Sequence, residues 1–309
     1  MPGLEGDRGA HRGIASQAAA AGELSVTLDG VETGRPSRTA FRVAMRRAVH
    51  QVLDQPAVLA DPVAVPLLGA HFALDRERES HPVARAFRAF MAARSRYAED
   101  RLWAAVGAGV EQYVVLGAGL DTFAYRNPFP NLRVFEVDFP ATQQWKRSLL
   151  ADASIHVPDN LIFVPLDFEH KTLGEGLADA GFDEGKPAFF GWLGVVPYLS
   201  RDAVRATLRT IAHLPAGSGV SFDYALSPEN MSPKRRAVFD ALAARVAAAG
   251  EPFQLFFSLE GLETELEAAG FHRIEHMDSE RLNGTYFRDR SDGLQLPPDG
   301  LGMMVTAWV

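Results

Sequence analysis

Residues 113–126, YVVLGAGLDTFAYR, decide the fold, because an apolar run stops at two glycines and an acid follows. The apolar part is typical of a buried strand, and Gly117 and Gly119 let a ligand approach bare backbone at its carboxyl end. A dinucleotide fingerprint would need a third glycine where the chain has Thr122, and Asp121 would repel a pyrophosphate. The turn therefore leaves a dinucleotide or another nucleoside open and weakens the case for a phosphate.

Beyond this turn, apolar strand patterns alternate with helical ones. The strand patterns lie at 112–117, 132–138, 161–167, 187–194 and 219–226. This alternation predicts an α/β fold with a doubly wound, mostly parallel sheet. Helical patterns closed by Gly250 and Gly270 come next, and strand patterns at 271–278 and 300–309 then predict a terminal hairpin with one antiparallel strand.

The segment before the first strand reads as helical. We expect a disordered leader at 1–22, a helical cap or lid at 23–110 and the ligand-binding domain at 111–309. Arg42, Arg46 and Arg47 crowd one cap helix, and the sequence shows few acids near them to neutralise their charge. Such a lid would attract an acidic small molecule.

Composition narrows the partners. The chain has 309 residues, 47% of them apolar, and a formal net charge of -8, which gives no electrostatic footprint for nucleic acid or an anionic membrane. It has no cysteine, which fits a reducing cytoplasm and excludes thiolate metal sites. The string HRIEH at 272–276 matches an inverted zinc-protease motif only on a helix, and here it reads as a strand, so we expect no metal.

Two more strands end in acids. Glu136 and Asp138 close the second strand about 20 residues after the glycine turn, where a carboxylate meets the two ribose hydroxyls of a bound nucleotide. As alternate residues they share one face, so both are expected to approach the pocket. Asp167 closes the third strand. Together with the glycine turn, these acids predict one binding rim at the carboxyl edge of the sheet.

Several strings now combine into a family resemblance. They are LGAGLDTFAYR, FEVDFP, LDF and VVPYLS, with ARSRYAEDR and SRTA upstream. From about residue 37 to the end, the chain resembles the leucine carboxyl methyltransferase family and its bacterial relatives. The resemblance implies a Rossmann-like fold of the class I methyltransferase type, S-adenosylmethionine as the cofactor and methyl transfer to an oxygen. We expect the acceptor to be a small molecule.

The resemblance also implies residue roles. Gly117 and Gly119, with Asp121 beside them, would serve the methionine portion of the cofactor, and Asp138 would accept the ribose hydroxyls. Asp167 and the backbone at Phe168 would contact the adenine. Arg94 would pair with the methionine carboxylate, for which an arginine fork is well suited, and Arg96 is the reserve choice.

The acceptor side departs from the family pattern. Many relatives carry a glutamate where this chain has Leu193, so the acceptor is open, as is its form as carboxylate or hydroxyl. A hydroxyl acceptor needs a base, and the candidates by position are Tyr198, Asp223 and Tyr224. Two other interpretations stay open, a nicotinamide-dependent oxidoreductase and a non-catalytic protein that keeps the cofactor fold.

Overall fold

The structure is a computed structural model that describes residues 37–167, 171–247, 252–298, 300 and 302–309. Its centre is a seven-stranded sheet in the order β3-β2-β1-β4-β5-β7-β6. The strands are β1 (Gln112–Leu116), β2 (Arg133–Asp138), β3 (Leu161–Pro165), β4 (Ala188–Trp192), β5 (Gly219–Ala225), β6 (Arg273–Met277) and β7 (Gly302–Trp308). Only β7 runs antiparallel to its neighbours, so the predicted sheet and terminal hairpin are confirmed.

Helices cover both faces of the sheet. They are α1 (Arg38–Leu53), α2 (Ala64–Leu68), α3 (Arg76–Ser80), α4 (Pro82–Gly107), α5 (Pro140–Asp152), α6 (Leu173–Asp179), α7 (Arg201–Ala212), α8 (Pro233–Ala247), α9 (Leu259–Ala269) and α10 (Ser279–Tyr286). The closing glycine of α9, Gly270, adopts the expected left-handed conformation, whereas Gly250 lies outside the described residues. None of the described helices has both the length and the apolar character that crossing a bilayer requires.

Alternating side chains on the strands build two apolar layers. On one face, α6, α7 and α9 bury residues such as Leu177 and Leu208 against Phe135 of β2. On the other, Leu102 of α4 packs with Val115 of β1 among a second buried cluster. Every strand from β1 to β5 is therefore covered on both sides, which explains their nearly continuous apolar sequences.

The helices α1 to α4, which we call the cap, lie on the α4 side of the sheet. Helix α1 begins at Ser37, whose side chain accepts a hydrogen bond from the Ala40 amide, and it packs on α2 and α5. The first turn of α1 reaches the glycine turn after β1, since a Cβ added at Gly119 would lie 3.0 Å from the Ala40 Cβ. The predicted leader at 1–22 falls outside the described residues.

The strand order reverses between β1 and β4. In open α/β sheets a crevice for ligands forms at such a switch point, outside the carboxyl ends of the strands. One side of this crevice is built from the ends of β1, β2 and β3, and the other from the ends of β4 and β5. The candidate site residues are located at these ends.

Candidate cofactor and acceptor site

The glycine turn keeps its backbone bare. Gly117 and Gly119 have φ angles of 63° and 47°, a region that L side chains rarely adopt. A Cβ at Gly117 would run into Val195 after β4, and one at Gly119 would press on Ala40. Gly117 is exposed, so its peptide unit is open to a ligand in the crevice.

Asp138 is fixed at the end of β2 by this turn. Its Oδ2 accepts the Gly119 amide at 2.5 Å, and its Oδ1 accepts the Phe139 amide at 2.7 Å. Burial raises the pKa of Asp138, and the two backbone donors oppose that rise. The side chain is half-buried, and each oxygen has a further lone pair with which to accept a hydroxyl.

Glu136 has a different role from the one expected. It is 0% exposed, and its Oε2 accepts a hydrogen bond from Lys146 Nζ of α5 at 2.6 Å. Oε1 has no partner, and burial raises the pKa of Glu136 to about 7 despite the nearby ammonium. The expectation that Glu136 approaches the pocket is wrong, because α5 covers it and Lys146 occupies it.

Asp121 and Thr122 bond to the cap. Asp121 Oδ1 accepts the Phe123 amide at 2.8 Å and its Oδ2 lies 3.2 Å from Arg47 Nη1. The Thr122 hydroxyl, 1% exposed, donates to Asp61 Oδ2 at 2.6 Å and accepts from Arg47 Nη2. The position where a dinucleotide fold needs its third glycine therefore anchors a cap residue. Sequence reasoning missed Asp61, which is distant in the chain.

The arginines of α1 are mostly neutralised, contrary to the expectation. Arg46 pairs with Glu79, and Arg47, 4% exposed, pairs with Asp61. Only Arg42 of the three is exposed. The expectation failed because these acids lie far along the chain from α1 and reach it through the folding of the cap.

Arg94 and Asp223 meet where β4 and β5 end. Arg94 Nη1 donates to Asp223 Oδ2 at 3.0 Å, and the Gly194 amide donates to Oδ1 at 2.6 Å. The two residues are 5% and 7% exposed, and Arg94 Nε has no partner among the described residues. Arg96 instead pairs with Asp100 on the outer face of α4, so only Arg94 reaches the rim.

The three candidate bases are not brought together. Tyr224 follows Asp223 on β5 and therefore points to the opposite face, where its hydroxyl lies 2.9 Å from His276 Nδ1. Burial raises the pKa of Tyr224 further above its usual range. Tyr198 is half-buried in a short 3-10 helix (Val196–Tyr198), with its ring centroid 5.4 Å from that of Phe253.

Asp167 and Leu193 follow the ends of β3 and β4 at the same rim. Asp167 follows β3 and is half-exposed, while Phe168 lies outside the described residues. Leu193, which stands where many relatives have a glutamate, packs against an apolar cluster that includes Ala93 and Met304. The acceptor side of the crevice is therefore more apolar than the family pattern implied.

These features fit a bound nucleoside with an amino-acid tail. The bare turn at Gly117 gives close backbone approach, and Asp138 offers a held carboxylate at the adjacent strand end. Arg94 brings a cation with a buried, unpartnered N–H to the same rim. A pyrophosphate fits less well, because Asp121 adds negative charge beside the turn.

The comparison with known families agrees with this geometry. The model of the family described as leucine carboxyl methyltransferase matches residues 40–212, which run from α1 to the end of α7. The chain belongs to the leucine carboxyl methyltransferase family. The matched region contains the cap, the glycine turn and Asp138, and it ends before Asp223.

The descriptions of two relatives indicate the cofactor. "Putative S-adenosyl-L-methionine-dependent methyltransferase YktD" of Bacillus subtilis (strain 168) is 38% identical over 205 residues, which are 65% of this chain and 67% of that protein. A protein of the same description from Mycobacteroides abscessus is 35% identical over 200 residues, 63% of this chain and 64% of its own. The alignments thus span about two thirds of the Bacillus protein and slightly less of the other. By family, the chain is an S-adenosylmethionine-dependent methyltransferase.

Solved structures confirm the fold. A DUF574 family protein from Streptomyces avermitilis superposes with a TM-score of 0.50 at 18% identity, covering 85% of this chain and 96% of that one. A protein from Thermobifida fusca YX gives 0.51 at 19% identity, covering 79% and 91%. With the sheet order, these likenesses identify the Rossmann-like fold of class I methyltransferases.

Proposed function

We propose that this protein methylates an oxygen atom of a small molecule and that its preferred acceptor is a carboxylate. The observation that carries the proposal is the state of Asp223, the candidate base that lies against the Gly194 amide after β4. Asp223 is 7% exposed, and its oxygens accept from the Arg94 guanidinium and from the Gly194 amide. It differs in this from Asp138, which is half-buried and whose carboxylate, among the described residues, bonds only to backbone amides. A carboxylate acceptor is ionised at neutral pH and requires no base.

The cofactor side of the proposal assigns one task to each rim residue. Gly117 presents its exposed backbone to the cofactor, Gly119 holds the Asp138 carboxylate through its amide, and Asp138 accepts the ribose hydroxyls. Asp167, half-exposed after β3, faces the adenine. Arg94 binds the methionine carboxylate with the guanidinium N–H groups that Asp223 does not take.

When bound, S-adenosylmethionine supplies an electrophilic methyl group on a sulfonium. The residues of this chain then have to orient an acceptor oxygen and exclude water, since in-line transfer depends on alignment. Asp223 is a positioning residue in this scheme, because it holds Arg94 against Gly194. Tyr224 takes no part, because it lies on the other face of β5 and bonds to His276.

The acceptor that suits this rim has an acidic head and an apolar body. Leu193 and the cluster that it packs against give the β4 side an apolar wall. Of Arg42, Arg46 and Arg47 on α1, Arg42 is the one that is exposed, and the first turn of that helix reaches the glycine turn. The other two arginines of α1 are paired and add little attraction.

An acceptor panel tests the proposal. Purified protein with methyl-labelled S-adenosylmethionine is offered aliphatic and aromatic carboxylic acids, each beside the phenol or alcohol of the same skeleton. We expect methyl esters from acids with apolar bodies, at a rate that changes little between about pH 6 and 8.5 because the acceptor stays ionised. Methylation of phenols alone, with a rate that climbs with pH, would contradict the carboxylate assignment. Cofactor binding without turnover on any acceptor would indicate a non-catalytic protein.

A further inference from the structure

A buried cluster of charges joins the cap to the glycine turn. We call it the turn cluster, and it consists of Arg47, Glu99, Asp61, Asp121, Thr122 and Arg126. Arg47 is its centre, because its guanidinium contacts three of the other members. Nη2 donates to Asp61 Oδ2 at 2.6 Å and to the Thr122 hydroxyl, and Nη1 lies 3.2 Å from Asp121 Oδ2.

The two carboxyl groups at the ends of the turn cluster differ in pKa: that of Asp61 is lowered, whereas burial raises that of Glu99 despite its pairing with Arg126. Burial would raise the pKa of Asp61, but Arg47 and Arg126 more than offset this and lower it. Buried charges of this kind are costly to desolvate. Here the geometry connects α1, the loop before α2, the glycine turn and α4.

The second half of the cluster leads to Arg94. Arg126 donates to Glu99 of α4 with Nη1 at 2.8 Å and also with Nη2, and its Nε lies 3.6 Å from Asp61 Oδ1. Glu99 and Arg94 are five residues apart on one helix, a separation of about 7.5 Å along the axis. The cluster therefore fixes the turn and the helix that carries the rim arginine relative to each other.

A second buried cluster in the cap provides a comparison within the same molecule. We call it the cap cluster, and it consists of Arg46, His50, Asp54, Glu79 and Arg88. Arg88 is 1% exposed and bonds to both oxygens of Asp54, at 2.7 and 2.9 Å. Among the described residues, its hydrogen bonds stay within the cap. Stabilising the cap therefore does not require a charge cluster at the turn.

We infer that Arg47 is a positioning residue for S-adenosylmethionine, acting through Thr122 and Asp121 on the glycine turn. The contacts of Arg47 hold Asp121 and Thr122, which lie two and three residues after Gly119, and Gly119 in turn donates to Asp138. Loss of Arg47 would release the turn and leave Asp61 buried without its main partner. The cofactor site then includes a residue of the cap that never needs to touch the cofactor.

The test compares Arg47→Gln with Arg88→Gln, two substitutions of buried, carboxylate-paired arginines in the cap. Calorimetric titration with S-adenosylmethionine gives the dissociation constant, and denaturant unfolding gives the stability. We expect both variants to lose stability, but only Arg47→Gln to weaken cofactor binding, by about tenfold or more. Arg47→Lys keeps the charge without the fork and should lie between wild type and Arg47→Gln. Equal affinities for wild type and Arg47→Gln, or parallel losses in both glutamine variants, would overturn the inference.

A second pair covers the case in which the arginine variants do not fold. Thr122→Val removes a hydroxyl from the turn cluster, and Thr306→Val removes an equally buried one that bonds to Tyr97 at 3.0 Å away from the turn. Thr122→Val should raise the dissociation constant about threefold or more, whereas Thr306→Val should leave it unchanged. Equal effects would reject the inference. It rests on the proposed cofactor site, and a wild-type protein that binds no S-adenosylmethionine would refute that site instead.

Discussion

Charged residues form two layers at the carboxyl edge of this sheet. The carboxylate of the inner layer is paired with another side chain, whereas that of the outer layer is bonded to backbone amides. Glu136 belongs to the inner layer, fully buried and paired with Lys146. Asp138, two residues later on the same face, belongs to the outer layer, half-buried and bonded only to backbone amides among the described residues. An acid in a motif can serve a ligand only where the fold leaves its oxygens available.

The largest expected effect is on the free energy of unfolding, which should depend more on the inner layer than on the outer one. Glu136→Ala leaves the Lys146 ammonium buried without a partner, and we expect it to lower the free energy of unfolding by about 3 to 5 kcal/mol. Urea unfolding followed by circular dichroism measures this. The double variant Glu136→Leu with Lys146→Met is the control, and it should recover most of the loss because no unpaired charge remains. A Glu136→Ala protein as stable as wild type would contradict a stabilising role for the buried pair of Glu136 and Lys146.

Cofactor binding should separate the layers in the opposite sense. Asp138→Ala removes a held carboxylate from the proposed ribose site, and we expect it to weaken S-adenosylmethionine binding by about 1 to 3 kcal/mol. Its effect on the free energy of unfolding should be smaller than that of Glu136→Ala. Calorimetric titration of Asp138→Ala and of the Glu136→Leu, Lys146→Met protein makes the comparison. Weaker binding by the double variant than by Asp138→Ala would exchange the roles of the two acids.

The pH dependence of stability sharpens the comparison further. Burial raises the pKa of Glu136 to about 7, above the value in the unfolded chain, so its stabilising contribution is complete at low pH and lost as pH rises through 7. The unfolding free energy of wild type should therefore fall by about 1 kcal/mol between pH 6 and 8 relative to Glu136→Gln. Urea unfolding at a series of pH values measures the difference. Parallel pH profiles for the two proteins would mean that Glu136 is ionised throughout.

The smallest expected effect concerns Tyr224. Tyr224→Phe removes the bond to His276 on the far face of β5 and should cost about 1 kcal/mol of stability. Turnover should change by less than about threefold, because the hydroxyl lies away from the rim. Steady-state assays with the best acceptor of the panel check this. A large fall in turnover with unchanged cofactor affinity would make Tyr224 a catalytic residue.

The sequence was sufficient for the fold and for the positions of Asp138 and Asp167 at strand ends. The apolar strands, the closing Gly270 and the glycine turn are local patterns, and each is found where the pattern predicts it. The roles of Asp138 and Asp167 remain predictions, although both lie at strand ends on the expected edge. Local patterns succeed here because strand ends and turns depend on neighbours in the chain.

The partners of the arginines in the cap and of the two β5 residues could not be predicted in the same way. Arg46 pairs with Glu79 and Arg47 with Asp61 only once the cap helices have packed together, and Arg47 reaches Asp121 only once the cap lies on the sheet. Asp223 and Tyr224 are adjacent residues of β5, yet the alternation of side chains along a strand places them on opposite faces of the sheet with different partners. Thr122 did offer a signal in the sequence beyond the absence of a third glycine, because a polar side chain at that position of the turn indicates a hydrogen-bonded contact.

The central claim is that the outer layer binds S-adenosylmethionine, and one calorimetric experiment tests it most directly. Wild-type protein is titrated separately with S-adenosylmethionine, with its demethylated product and with NAD. The account predicts that the first two bind at one site per chain and that NAD produces no binding heat, because Asp121 and Thr122 replace the features that receive a pyrophosphate. Tight binding of NAD with no response to S-adenosylmethionine would contradict the account.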